Sequence, residues 1–111
     1  MNLLIDSTNN LLTKIRIDDK EYQQEVDSPR HQNIFGFLMR CLKEKGISIS
    51  DITDIEVNPG PGSFTGTRVG VAIANALAFA LKVKVNNQTP PIEPVYSSPP
   101  NITVQKSAIV N

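Results

Sequence analysis

A glycine-rich loop between a strand-like run and a long apolar helix limits the folds open to this chain more than any other feature. The run covers residues 52–57, the loop reads Asn58-Pro-Gly-Pro-Gly-Ser-Phe-Thr-Gly-Thr-Arg68, and the helix continues over residues 68–81. Such a connection places backbone N–H groups at a helix N-terminus, where anions commonly bind. The sequence therefore predicts an α/β unit with a potential anion site at its loop.

The glycine spacing does not match a standard phosphate-binding loop. Gly60, Gly62 and Gly66 are spaced G-x-G-x-x-x-G, one residue off the dinucleotide fingerprint, and no Gly-Lys-Ser/Thr ending follows. The loop also lacks a catalytic lysine or acid. We therefore interpret it as a structural loop whose glycines set the backbone shape and bind no nucleotide. Its residues are Gly60, Gly62, Ser63, Thr65 and Gly66.

Charge and cysteine content exclude several functional classes. The chain has 111 residues, near the usual size of one domain, with eleven basic and eleven acidic side chains. Without a basic excess we expect no autonomous binding to nucleic acid. The single cysteine, Cys41, allows no intrachain disulfide and fits a reducing, cytoplasmic compartment. We expect no signal peptide, and the apolar residues 69–81 are fewer than the ~20 that span a membrane.

The hydrophobic pattern predicts an α/β fold with a mixed sheet and two main helices. The predicted strands cover residues 3–5, 11–17, 21–26 and 52–57, with a possible fifth at 83–85, and the helices cover residues 31–45 and 68–81. This order suggests an antiparallel meander joined to a parallel unit. Because the strand at 21–26 is mostly polar, we expect it at a sheet edge.

The chain divides into an ordered domain, residues 1–85, and a proline-rich C-terminal tail, residues 86–111. Five of the eight prolines lie in the tail. Proline fixes φ and removes a backbone donor, so the tail should be extended and irregular, lying across the surface. Its last apolar residues, Ile109 and Val110, could form a short edge strand or fray.

Both helices carry more apolar surface than one sheet face can cover. On the second helix only Asn75 is polar between Val69 and Leu81, and small residues recur every four positions. The alternative is a well-packed core with some exposed alanine. We favour a helical partner interface, with the small residues allowing close approach of another helix, or of the first helix. The interface residues are Phe35, Leu38, Met39, Leu42, Gly66, Arg68, Gly70, Ala74, Leu77 and Ala78.

Candidate chemistry elsewhere is sparse. Asp6 ends the first strand, where a turn-capping role is favoured over a metal-binding carboxylate. His31 lies at the start of the first helix, where a solvated histidine without a functional role is an adequate interpretation. Cys41 falls in the apolar arc of the same helix, which favours packing over nucleophilic chemistry. One histidine and one cysteine make a metal site improbable. Arg68 opposes the helix dipole, so we expect an acidic group or carbonyl beside it.

The sequence resembles the bacterial TsaB family of tRNA threonylcarbamoyladenosine biosynthesis proteins. The resemblance rests on the run Gly60-Pro-Gly-Ser-Phe-Thr-Gly66 and on Thr67-Arg-Val-Gly70 behind it. Shorter supporting pieces are Leu4-Ile-Asp-Ser-Thr8, Arg30-His31, Gly46-Ile47 and Asp51-Ile52. It covers residues 1–85, while residues 94–100 resemble that family's C-terminal end. The second subdomain between them is missing, so the chain resembles a contracted form.

The resemblance implies a fold and a noncatalytic role. The expected fold is the RNase-H-like core of the actin/Hsp70-like ATPase group, present as a single subdomain. The expected role is to bind and activate the TsaD-type transferase, which works with the ATPase TsaE, through the two helices. The same helices can also form a homodimer. The resemblance implies that tRNA is contacted only indirectly, and it implies no cofactor. A small nucleotide-binding protein or enzyme using the glycine-rich loop stays open as the alternative.

Overall fold

Within the described residues, four strands and two α-helices make up the fold. The structure is a computed structural model, and it describes residues 1–95. In chain order the elements are β1 (Asn2–Asn9), β2 (Leu12–Ile17), β3 (Lys20–Glu25), α1 (Ile34–Lys45), β4 (Asp54–Val57) and α2 (Phe64–Leu81). Short 3-10 turns at Pro29–His31 and Ile49–Asp51 lie on either side of α1.

The strands form one mixed sheet in the order β3-β2-β1-β4. β1 pairs antiparallel with β2 and parallel with β4, while β2 pairs antiparallel with β3. Both the predicted meander joined to a parallel unit and the predicted edge position of the polar third strand are confirmed. β1 extends to Asn9, beyond the predicted residues 3–5, because backbone pairing with β2 continues through the polar segment after Ile5.

Alternation along the strands decides which sheet face is buried. The residues on the inner face are almost fully buried: Leu3, Ile5, Ser7, Thr13, Ile15, Ile17, Ile55 and Val57. Both helices lie on this face, with α2 over β1 and β4 and α1 beside β2. On the other face Arg16 and Glu56 form an ion pair with N–O 3.6 Å. Because both side chains are exposed, this pair adds little to stability.

α1 begins at Ile34, three residues later than predicted. The side chain of Asn33 accepts a hydrogen bond from the Gly36 amide at 2.9 Å and so caps the helix, while residues 29–31 form a separate 3-10 turn. The helix ends as predicted at Gly46, whose φ of 76° lies in the left-handed region. Cys41 is buried in the core, and burial together with Glu44 raises the pKa of its thiol to about 11. A packing role for Cys41 is therefore supported.

α2 begins at Phe64, four residues earlier than predicted. Ser63 is its N-cap, because the Ser63 hydroxyl accepts from the Gly66 amide at 3.3 Å. The resulting 18-residue helix is long and apolar enough, by length and composition, to cross a membrane, so our length argument against a span was wrong. One side of α2 nevertheless packs on the sheet, through Gly66, Thr67, Gly70, Val71, Ala74 and Ala78.

The chain beyond α2 closes the free edge of β4. The predicted fifth strand is reduced to a single parallel bridge between Val85 and Ile55. The Asn86 side chain then accepts from the Val57 amide at 2.9 Å and donates to the Val57 carbonyl at 3.1 Å. Asn86 and Asn87 have φ of 52° and 61°, which turns the chain back so that Val85 pairs with Gln88.

Residues 90–95, which we call the strap, then run along the flank of α2. The Ile92 backbone bonds to the Asn75 side chain, and the Val95 amide donates to the Pro59 carbonyl at 2.6 Å. This part of the tail lies across the surface, as the proline content predicted. Residues 109 and 110, for which we expected an edge strand or fraying, lie outside the described residues.

Candidate functional site

The glycine-rich loop is fastened to the end of β1. The Asn58 amide donates to the Ile5 carbonyl at 2.9 Å, and the Ser63 amide donates to the Thr8 carbonyl at 2.7 Å. The Asn58 side chain also donates to an Asp6 carboxylate oxygen at 3.2 Å. Both ends of the loop are thereby fixed to one central strand, so the loop holds α2 in place on the sheet.

Several backbone donors of the loop already have partners within the chain. The Gly60 amide donates to the Asn58 side chain at 3.1 Å, and the Thr67 amide donates to the Ser63 carbonyl at 3.0 Å. The Ser63 and Gly66 amides are occupied as described above. A phosphate-binding loop needs such N–H groups to point at its ligand. These contacts support the structural interpretation of the loop.

The loop glycines serve backbone shape and close packing. Gly60 has φ of 103°, which other residues rarely adopt, and a Cβ there would overlap the Val95 carbonyl oxygen. A Cβ on Gly62 would lie 2.5 Å from the Thr8 Cβ. Thr65 lies exposed on the first turn of α2, outside these contacts. Of the five predicted loop residues, Gly60, Gly62 and Ser63 precede α2, whereas Thr65 and Gly66 lie within its first turn. Among the loop glycines, Gly60 has a positive φ.

Asp6 orders the turn that receives the loop. Its Oδ1 accepts from the Thr8 hydroxyl at 2.7 Å and from the Thr8 amide at 3.1 Å, which is the favoured turn-capping role. Burial raises the pKa of Asp6, but the Thr8 and Asn58 hydrogen bonds, with Lys14 nearby, outweigh it and hold the pKa below its usual value. The folded state therefore favours the ionised carboxylate.

Replacement of Asp6 by Asn should show a pH-dependent loss of stability. Because the pKa is lowered on folding, the carboxylate stabilises above its unfolded pKa of about 4, and this contribution is lost as pH falls through the folded value. We expect Asp6→Asn to lower the free energy of unfolding by roughly 1 kcal/mol at pH 7 and by less near pH 3. Urea unfolding at both pH values measures this. Asp19→Asn, in the exposed β2–β3 turn, is the control, and an equal Asp6→Asn loss at both pH values would contradict the assignment.

The structure overturns the predicted partner surface on the small-residue ridge of α2. Ala74 and Ala78 have no exposed surface, and Gly66 and Gly70 are buried against β1. A Cβ on Gly70 would overlap the Ser7 hydroxyl, so the ridge lets the sheet approach closely. On α1, Leu38 and Leu42 are also buried in the core. These six residues cannot contact a partner.

Four of the ten predicted interface residues keep exposed surface. Phe35 is 51% exposed and Arg68 is exposed, whereas Met39 and Leu77 are half-buried and pack against the core. The Arg68 guanidinium lies over the Phe64 ring, with Cζ 5.0 Å from the centroid. We expected an acidic group or a carbonyl beside Arg68. The ion pairs of residues 1–95 do not include Arg68, so the acidic group is not found there.

The exposed apolar face of α2 lies opposite the ridge. We call Val69, Ala72, Ala76 and Phe79 the outer face, since all four are exposed and follow helical spacing. Phe79 is 80% exposed and Val69 is 40% exposed. None of the four is among the interface residues predicted from the sequence. A helical wheel could have found them, since they lie about half a turn from the glycine and alanine ridge.

The other candidate groups form no metal site within the described residues. His31 is exposed, and its Nδ1 lies 2.6 Å from the Asp27 carboxylate. Among residues 1–95, no group of three or more His, Cys, Asp or Glu side chains is arranged to hold a metal ion. The described part of the chain thus offers a fixed loop and an apolar helix face as its notable features.

Comparisons with known proteins give one matching family model and similar solved structures. The family model of TsaD, a tRNA N6-adenosine threonylcarbamoyltransferase, matches residues 20–87. YeaZ from Pseudomonas aeruginosa is 27% identical with a TM-score of 0.63, covering 76% of this chain and 42% of YeaZ. An uncharacterized protein with similarity to peptidase YEAZ, from the same organism, is 26% identical with a TM-score of 0.62, covering 76% of this chain and 40% of its own. No curated protein sequence matches.

These matches bear on fold and length. YeaZ has the RNase-H-like fold of the actin/Hsp70-like group, so the expected fold class is confirmed. The matched model includes α1, the glycine-rich loop and α2. The chain spans about two-fifths of the length of the solved structures it matches, 42% and 40%.

Proposed function

Because this chain belongs to the TsaD family and is similar to YeaZ, a TsaB homologue, we propose that it is a noncatalytic subunit of the tRNA threonylcarbamoyladenosine-modification machinery. It binds the TsaD-type transferase through its helices and activates it, and the ATPase TsaE works with both. It acts in the cytoplasm and contacts tRNA only through the complex. A homodimer through the same helices is the state of the chain without its partner.

The observation that carries this proposal is the outer face of α2. Phe79 at 80% exposure and Val69 at 40% exposure stand on a helix whose other side is already packed on the sheet. Phe35, at 51% exposure, adds an aromatic ring on α1. Aromatic and aliphatic side chains clustered on an exposed helix are typical of protein–protein interfaces. The docking surface is therefore the outer face with Phe35 and Arg68, and not the buried ridge.

The contacts of the loop support the proposed noncatalytic role. Asp6 is engaged with Thr8 and Asn58, and the Gly60, Ser63, Gly66 and Thr67 amides have intrachain partners. A transfer reaction needs a base, an electrophilic group and a donor set converging on one point. The described residues support a scaffold better than such a constellation. The net charge of zero likewise supports indirect contact with tRNA.

Reconstitution of the modification reaction tests the proposal. Purified TsaD-type and TsaE subunits receive threonylcarbamoyl-adenylate and substrate tRNA, and modified adenosine is measured with and without this chain. We expect modification to depend on the chain, and the chain alone to modify no tRNA and hydrolyse no ATP. Equal modification in its absence would remove the proposed role. Magnesium-dependent ATP binding by the isolated chain, lost in Gly62→Val, would favour the nucleotide-binding alternative.

A further inference from the structure

β3 forms an open edge of the sheet, and no strand in the described part of the chain pairs with its outer side. The Val26 amide donates to the Leu11 carbonyl at 2.9 Å, in continuation of the β2–β3 register. In an antiparallel ladder, residues that bond to the neighbouring strand alternate with residues whose N–H and C=O groups point away from it. Since Val26 belongs to the bonded set, the residues whose groups point to the open edge are Glu21, Gln23 and Glu25.

The charges along this edge are partly balanced from within the sheet. Arg16 of β2 lies opposite Glu21, and Lys14 lies opposite Gln23, on the same face as Glu25. The Gln23 Nε2 also donates to the Glu21 Oε2 at 2.6 Å, so an amide and a carboxylate already form a hydrogen bond on this face. A strand added at this edge is therefore opposed where it brings an acid next to these acids, and accepted where it brings an amide.

Tyr22 places an aromatic ring at the same edge, on the inner face of the sheet. It lies opposite Ile15, is half-buried and packs against the hydrophobic core. The Lys20 Nζ lies over the same ring, 5.6 Å from its centroid. A further strand would cover the part of this ring that β2 leaves exposed, and aromatic cross-strand pairs stabilise antiparallel ladders.

The edge charges oppose strand addition in general, but one register makes β3 complementary to itself. A two-fold ladder centred on Gln23 would place Glu21 opposite Glu25 of the second copy, and like charges in that position are destabilising. A ladder centred on Gln24 would pair a shorter part of the strand, because β3 ends at Glu25. A ladder centred on Tyr22 instead places Tyr22 opposite its own copy and Glu21 opposite Gln23. The free backbone groups of Glu21 and Gln23 then face each other and can form the ladder bonds.

We infer that β3 is a self-association edge, through which two copies of the chain pair antiparallel about a two-fold axis at Tyr22. At both ends of this ladder Lys20 lies opposite Gln24 of the second copy, so no two like charges are opposite within it. The other edge of the sheet is covered by Asn86 on Val57, so the pairing closes at two copies.

This contact goes beyond the proposed function, because it uses neither helix. It is separate from the homodimer proposed through α1 and α2, and it leaves Phe35 and Phe79 exposed for another partner. The two-fold axis is perpendicular to the joined sheet, so the helices of both copies lie on the same face of it. Pairing through β3 and binding through the helices can therefore occur together.

Hydrogen exchange of the isolated chain at rising concentration tests the pairing residue by residue. We expect the Glu21 and Gln23 amides to become about tenfold more protected as copies pair, because each gains a backbone acceptor. The Tyr22 amide, already bonded to β2, and the Glu25 amide, beyond the ladder, should change little. Protection of Glu25 together with Gln23 would indicate a ladder centred on Gln23 and would overturn the assignment to Tyr22.

Substitutions at Gln23 test the charge argument without disturbing the core, since this side chain is exposed. Gln23→Glu sets an acid opposite Glu21 of the second copy, whereas Gln23→Lys sets a cation there. Because the axis repeats the contact, sedimentation equilibrium should show self-association about tenfold weaker for Gln23→Glu, and equal or tighter for Gln23→Lys. Equal self-association of the two variants, or a parent chain that stays monomeric throughout, would overturn the inference.

Phe79→Asp separates this contact from self-association through the helices. We expect the protection of Glu21 and Gln23 to persist in Phe79→Asp. Self-association that disappears in that variant, with both amides unprotected in the parent, would assign it to the helices and overturn the inference. These measurements need no transferase, so their failure leaves the proposed function standing, and failure to bind the TsaD-type subunit does not affect them.

Discussion

Ala74→Glu unfolds this chain, whereas Ala76→Glu leaves it folded. Ala74 has no exposed surface and lies on the side of α2 that packs on the sheet, while Ala76, two positions along, is exposed. A buried glutamate has neither room nor a charge partner at position 74, which costs about 4 kcal/mol or more. A domain of this size has only about 5–15 kcal/mol of stability. At position 76 the same side chain reaches solvent, and the change stays within about 0.5 kcal/mol.

Circular dichroism and urea unfolding of the two variants measure this difference. The pair is matched, because the substitution and the helix are the same and only the facing direction differs. A well-folded Ala74→Glu with parental stability would mean that the ridge does not pack on β1. It would also return the ridge to the candidates for a partner surface.

If the chain assembles with the TsaD-type subunit as proposed, we expect Phe79→Asp to abolish measurable assembly while the chain stays folded. Phe79 is 80% exposed, so its removal costs the monomer little, but a central aromatic anchor contributes 2 kcal/mol or more to a typical interface. That loss alone weakens the dissociation constant by about 30-fold, and the added charge weakens it further. Ala76→Glu, on the same face, should show the same direction of effect.

Size-exclusion chromatography and calorimetry with the purified subunit measure the assembly. Thr53→Asp, at an exposed position just before β4 and outside α2, is a control that should bind as the parent does. Parental binding by both Phe79→Asp and Ala76→Glu would move the interface away from α2. Loss of binding in the Thr53 control as well would indicate a general effect of added charge.

Much of the fold follows from local patterns, while the direction in which α2 faces does not. Alternation at Thr13, Ile15 and Ile17 specifies a strand, and the glycine at position 46 specifies a helix end. Tertiary contacts alter neither feature. The recurrence of Gly70 and Ala74 indicates close packing, but sequence alone does not say against what. The structure shows that α2 packs against β1, because Gly70, which has no Cβ, fits against Ser7 and Ile5.

The candidate site was predictable only where it depended on short-range chemistry. Asp6 and Thr8 are two residues apart, so their turn can be read from the sequence. The hydrogen bonds between the Asn75 side chain and the Ile92 backbone join residues 17 positions apart, and the intervening segment has no helical or strand periodicity. No local propensity encodes such a contact, and the same holds for Asn86 on Val57. The start of α2 was missed because Gly66 suggested a loop, although Ser63 was a sufficient cap.

Because of the Asn86 contact with Val57, the two edges of the sheet differ: one is covered and the other is open. On the β4 side, a side-chain amide occupies the backbone groups that another chain would need for pairing. On the β3 side the backbone is free to pair, but Lys20, Glu21 and Glu25 are exposed along it. Charged side chains on an open sheet edge discourage the pairing of a strand from another chain, and a covered edge prevents it. At high concentration, growth of the sheet into fibrils is therefore opposed at both edges.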